Sequence, residues 1–235
     1  SPMRSCLIQI LIALAVVFVL LWFALPMAVS ALAVGALNAS GFNGTDTKVE
    51  VNSNPPPLLL TGRADSVHIT SSQVSLSDLH AGSVDVTLGG VDLLSREIGT
   101  VNGALTDVQV AAPNGDTISI DKVTLDGPAG NTAATCAVSL ATAKTLAESQ
   151  LQSQGIQATV DFAAPNAVTL QAGGQSIKGR LVATAGSLYL VQDGEGITVL
   201  LMSPGAGNPF RVTGVTITDT QVILAGTIDV DSLLN

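Results

Sequence analysis

Val67-His-Ile-Thr-Ser-Ser-Gln-Val-Ser-Leu76 decides the fold, because it recurs far downstream as Val215-Thr-Ile-Thr-Asp-Thr-Gln-Val-Ile-Leu224. Each copy runs on into Ala-Gly and a second alternating stretch, Ala81-Gly-Ser-Val-Asp-Val86 and Ala225-Gly-Thr-Ile-Asp-Val230. Apolar residues at every second place describe strands that bury one face. The interruptions Thr70-Ser-Ser-Gln73 and Thr218-Asp-Thr-Gln221 supply small polar residues for a chain reversal. The sequence therefore predicts one strand hairpin used twice. Hairpins rich in Val, Ile and Thr also converge by composition, but the shared Gln73/Gln221 is not something β-propensity demands.

Outward from these copies the chain reads mostly as strands. Val84–Leu88, Val108–Val110, Ile118–Ile120 and Val123–Leu125 alternate apolar with polar residues. Gly89-Gly90, Pro113-Asn-Gly-Asp116 and Asp126-Gly-Pro128 carry turn signals. One helix interrupts them: Ser139 is an N-cap candidate, Leu140, Ala143, Ala147 and Leu151 share a face, and Gly155 supplies the stop. Strands resume over Ala158–Phe162, Val168–Leu170, Ile177–Val182, Leu188–Val191 and Thr198–Met202, and Gly205-Ala-Gly-Asn-Pro209 reads as a surface loop. The expected class is α+β, a curled, mostly antiparallel sheet packed around one main helix. So small a helix cannot cover such a sheet. The sheet must curl around it, pack on itself, or leave apolar surface for a ligand.

The chain has 235 residues, 47% hydrophobic and 11% charged, enough to bury a sizeable core. Its formal charge of −9 argues against nucleic acid as a partner, whose binding rests on Lys and Arg. It also removes any general pull toward anionic membranes, so a lipid must be held through its apolar part. Leu7 through Leu25 is almost uninterruptedly apolar and long enough to span a bilayer. Arg4 precedes it and no basic residue follows until Lys48, which places the N-terminus inside and the remainder on the extracytoplasmic side of a bacterial cytoplasmic membrane. Small residues at Ala28-Val-Ser-Ala31 also fit a signal-peptide cleavage site, which would make the protein secreted. Residues 1–34 thus form an anchor or signal segment, 35–47 a Gly/Asn-rich tether, and 48–235 the exported domain. Pro55-Pro-Pro-Leu-Leu-Leu60 reads either as a plug for one end of the core or as an apolar lip facing a bilayer or lipid entrance.

Residues that carry chemistry are sparse. His68 alternates with Val67 and Ile69, so it belongs on a polar strand face. Ser77-Asp-Leu-His80 holds triad residue types without a nucleophile elbow, and strand or turn context would splay them apart. Asp219, Asp229 and Asp231 offer at most a weak calcium site. No phosphate loop, cofactor fingerprint or zinc pattern occurs, and Cys6 and Cys136 flank the apolar span too differently to pair. The expectation is a non-enzymatic protein without cofactor or metal. Cys136 reads as a small buried apolar residue.

Pro57-Leu-Leu-Leu-Thr-Gly-Arg-Ala-Asp-Ser-Val-His-Ile-Thr-Ser-Ser-Gln-Val-Ser-Leu76, with Leu88-Gly-Gly-Val91, the Ser139–Gly155 helix, Leu188-Tyr-Leu190 and the closing Val212–Gly226 stretch, resembles the LmeA-like phospholipid-binding family. The resemblance covers roughly residues 48 to 235 and implies an exported, membrane-associated protein with an architecture similar to the tubular lipid-binding domains. It implies an acyl-binding apolar groove and a part in cell-envelope lipid handling. Strand alternation nominates Leu76, Val86, Leu88, Val160, Phe162, Leu170, Leu190 and Leu224 for the acyl chain. Arg63 or Arg180 is the candidate for the headgroup. The alternative is an anchored β-rich scaffold that binds other envelope proteins.

Overall fold

In the computed structural model the residues described are 43–76, 79–92, 94–95, 97–111, 117–153, 155–194, 198–204 and 210–230. The apolar stretch 7–25, Ser77-Asp78, the turn at 113–116, the loop at 205–209 and Asp231 lie outside them. Among the described residues the fold is mostly antiparallel β-sheet with one α-helix, an α+β architecture.

The first sheet has eight strands. In chain order they are β1 (Asn43–Asn52), β2 (Arg63–Leu76), β3 (Leu79–Asp92), β4 (Glu97–Ala111), β5 (Thr117–Pro128) and β6 (Thr132–Ser139), with β12 (Arg211–Ile217) and β13 (Gln221–Ile228) joining at the end. Their spatial order is β1-β2-β3-β4-β5-β6-β13-β12. Helix α1 (Leu140–Ser153) follows β6 directly. The second sheet has the order β11-β10-β9-β8-β7, built from β7 (Thr159–Ala163), β8 (Ala167–Ala172), β9 (Gln175–Thr184), β10 (Ser187–Gln192) and β11 (Thr198–Met202). Every strand pairing in both sheets is antiparallel. β1 begins at Asn43, so the last residues of the expected tether are strand, with Asn43 opposite Ser75.

The helix forms as its sequence predicts. The Ser139 hydroxyl accepts the Thr142 N–H at 3.2 Å, Leu151 is completely buried, and Gly155 takes a left-handed φ of 82° where the helix stops. It packs on β7 on one side and on β13, β6 and β5 on the other. The single curled sheet around a helix is therefore corrected to two sheets with the helix at their junction. The second sheet supplies the apolar cover that one helix could not.

The hairpin expected twice occurs once. In the downstream copy Thr218–Thr220 is a real reversal, and the Thr218 hydroxyl accepts the Gln221 N–H at 3.0 Å. In the upstream copy β2 runs straight through Thr70–Gln73 to Leu76. Gln73 instead takes φ 49° inside the strand, with its neighbours still in register: Ser72 opposite Ser83 and Val74 opposite Ala81. The same correction applies to Gly89-Gly90. β3 continues through both glycines to Asp92, and Gly90 has φ 60°.

These left-handed residues follow a rule. Gln73, Gly90 and Asp107 (φ 50°) occupy equivalent places in β2, β3 and β4, each just before a buried valine: Val74, Val91 and Val108. The stretches Ala64-Asp-Ser-Val-His-Ile, Ala81-Gly-Ser-Val-Asp-Val and Ile98-Gly-Thr-Val-Asn-Gly open the three units, which makes β2–β4 a repeat. A left-handed residue shifts the side-chain alternation by one place. Apolar residues spaced by three at that point then stay on one face. Ser71 and Val74 are both buried although an odd number of residues apart. Opposite them His68 pairs with Asp85 at 2.8 Å on the polar face, as the alternation around His68 predicts.

Candidate functional site

The inner face of the second sheet is built by alternation. Val160 and Phe162 of β7 lie opposite Leu170 and Val168 of β8, and Leu181 of β9 lies opposite Leu190 of β10. Val160, Val168, Leu181, Leu188 and Leu190 are buried in one cluster with Leu151 of α1 and Ile217, Val222 and Leu224 of the first sheet. Ala143 and Ala147 present only methyl groups from the helix to this cluster. Small side chains there leave space instead of filling it.

That space forms a cavity of ≈ 120 Å³. Ala143, Leu146 and Ala147 line it from α1, Val138, Val222 and Leu224 from the first sheet, and Phe162, Leu181, Leu188, Leu201 and Met202 from the second. Every lining residue is apolar. A second cavity of ≈ 130 Å³ lies at the C-terminal end of the helix, between Leu151 and Ile156 and the sheet residues Leu170, Ile177, Gly179, Leu190 and Val199. Lys178 and Gln192 are its polar lining residues.

Polar contacts hold the helix over these cavities. The Glu148 carboxylate accepts the backbone N–H of Val160 at 2.8 Å, which closes the free edge of β7. Lys144 donates to Asp161 at 3.0 Å. The Ser139 cap and the Leu140 N–H, donated to the Thr220 carbonyl at 3.1 Å, fix the helix start on the β12–β13 turn.

The residues nominated from sequence divide between two places. Phe162 and Leu224 line the first cavity, Leu170 and Leu190 line the second, and Val160 is packed between, 1% exposed. Val86 and Leu88 lie elsewhere, on β3, three strands from β6 in the sheet and so roughly 14 Å away. Leu88 packs with the separate cluster of Val49, Val51, Leu59, Ala64 and Val91. Leu76 is the last residue of β2, opposite Leu79. Arg63 is at the far end of the long strands, where its Nε donates to Asp92 at 2.9 Å. Arg180 alternates with Leu181, so it sits on the outer face of the second sheet, 3.8 Å from Asp193. Neither arginine lines either of these two cavities.

Lys178 borders the second cavity, but it is exposed and shares the outer strand face with Arg180. Ala143 and Ala147 were legible as a helix face but not as the wall of a space.

Among the described residues no group of three or more His, Cys, Asp or Glu is placed to hold a metal ion. His80 is exposed. Cys136 is half-buried against the main cluster, and burial pushes its thiol up to about 11. No family model, no curated protein and no solved structure matches this chain.

Proposed function

We infer that the protein binds an acyl chain of a phospholipid or related lipid between α1 and the two sheets, as a membrane-associated exported protein handling cell-envelope lipid. The observation that carries this reading is the cavity beneath Ala143 and Ala147, whose walls are apolar on all three sides. Each methylene moved there from water contributes about 0.8 kcal/mol before the cost of ordering the chain. Both cavities are smaller than the roughly 300–1,000 Å³ usual for small-molecule sites. Loading therefore requires α1 to shift on its alanine face, against the Lys144–Asp161 and Glu148–Val160 contacts. The reading agrees with what the resemblance to LmeA-like proteins implies.

The test is displacement of a fluorescent polyene fatty acid from the full-length protein. Saturable uptake that falls in an Ala147→Phe variant supports acyl binding. No uptake by a folded protein contradicts it. A filled scaffold is the second reading, favoured by how completely Leu151, Val160, Val168 and Val212 are buried. It predicts no uptake in either form.

A further inference from the structure

We propose that the end of the long strands formed by Leu58, Leu60 and Leu94 inserts into the surface of a lipid bilayer. Pro55-Pro-Pro-Leu-Leu-Leu60 leads into a six-residue 3-10 helix, Pro56–Thr61, between β1 and β2. The turn splits its leucines. Leu59 points inward, 8% exposed, and closes the cluster of Val49, Val51, Ala64 and Val91. Leu58 and Leu60 point outward, 39% and 65% exposed. Leu94, in the turn between β3 and β4, is 82% exposed. Leu59 is the plug, and its two neighbours are the exposed leucines available to a lip.

Leu58 and Leu94 flank one shallow depression with Thr61, Arg63, Asp92 and Ser95. Asp92 organises it: its carboxylate accepts the N–H groups of Leu94 and Ser95 at 3.0 and 3.2 Å and the Arg63 Nε at 2.9 Å. The Thr61 hydroxyl donates to the Leu58 carbonyl at 2.7 Å, and Gly62 closes the turn with φ 77°. The leucines are thus held outward by a bonded frame. Arg63 stays 70% exposed among them, placed for a lipid phosphate at the depth where leucine side chains enter the acyl region.

A bilayer fits this patch better than a protein does. Three leucines on two turns make a convex tip far smaller than the roughly 1,200–2,000 Å² of a stable protein interface. Chain length is compatible. β1 starts at Asn43, at the opposite end of the strands from the tip, and is roughly 33 Å long. Residues 26–42, between the apolar stretch and β1, can extend to about 56–61 Å. A span at 7–25 and this tip can therefore share one membrane.

The experiment uses the full-length chain with Cys6→Ser and Cys136→Ala in phosphatidylcholine vesicles that contain shallow spin-labelled lipid. An environment-sensitive fluorophore is placed by Leu60→Cys, by Leu94→Cys, or by His80→Cys at the opposite strand ends. Insertion predicts at least two-fold stronger quenching at 60 and 94 than at 80, unchanged by high salt. Equal quenching at all three positions overturns the proposal. Because the two tip positions lie on different turns, misfolding of one variant leaves the other as the readout. The Ala147→Phe background separates this from acyl binding: the tip signal persists there even when uptake is lost.

Discussion

The carboxylate of Glu148 on α1 accepts the backbone N–H of Val160 on β7, a side chain of the helix standing in for the strand that β7 lacks on that edge. Val160 is 1% exposed, so without Glu148 its amide faces a poorly solvated gap. Glu148→Ala is expected to destabilise the fold by about 1–3 kcal/mol. Glu148→Gln, which keeps an acceptor oxygen, is expected to lose less than half of that. Urea unfolding midpoints of the two variants decide the matter. Equal midpoints would mean that the bond contributes nothing.

Ala147 lines the wholly apolar gap under the helix. Ala147→Phe sends a ring into space that is already empty, so stability is expected to change by less than about 1.5 kcal/mol. Fatty-acid uptake is expected to fall at least ten-fold. Competition titrations with a fatty acid check this variant.

The repeat in β2–β4 makes opposite predictions for two of its positions. Gln73 is held in the left-handed region at φ 49°, a conformation that costs a side-chain-bearing residue about 1–2 kcal/mol. Gln73→Gly is expected to stabilise the protein by up to about 1 kcal/mol, against the loss of a long 3.4 Å contact with Thr45. Gly103 is the reverse case. A Cβ there would meet the Asp85 carbonyl oxygen and Val86. Gly103→Ala is expected to cost about 3 kcal/mol. Thermal or urea unfolding of the pair reads both signs.

Hydrogen bonds from Ser95, Arg63 and Leu94 hold the Asp92 carboxyl below its ordinary value of 3.8. A depressed carboxyl contributes its full stabilisation above the unfolded-state value and loses it as pH falls through the folded-state one. The β3–β4 turn is therefore expected to keep its geometry at pH 5 and to loosen only below about pH 4, with Arg63 released at the same point. Amide chemical shifts of Leu94 and Ser95, followed from pH 6 to 2.5, report this directly. In Asp92→Asn the same shifts are expected to be independent of pH across that window.

How far the fold can be read from sequence depends on whether local signals act alone. The helix is legible because Ser139, the Leu140–Leu151 stripe and Gly155 each act within a few residues. Most strands after it are legible because their apolar residues recur at every second place. β2 and β3 mislead for a physical reason: Gln73 and Gly90 look like turn residues, yet they shift the pleat inside strands that continue. The recurring three-residue gap before Val74, Val91 and Val108 is the signal that distinguishes the two cases. At the site, Phe162, Leu170, Leu190 and Leu224 are legible as inward positions. Val86 and Leu88 have the same local pattern, and only the order of strands separates them from the helix. Arg63, at the strand ends, and Arg180, on the outer face, both lie away from the two cavities, because alternation gives a face, not a neighbour.

The central claim is that the space between α1 and the two sheets belongs to an acyl chain. Native mass spectrometry of the full-length protein, released gently from membranes, tests it most directly. The account predicts bound species with the masses of a phospholipid or fatty acid at about one per chain, much reduced in Ala147→Phe. A protein that carries no lipid mass, in a folded state that also takes up no added fatty acid, would contradict it.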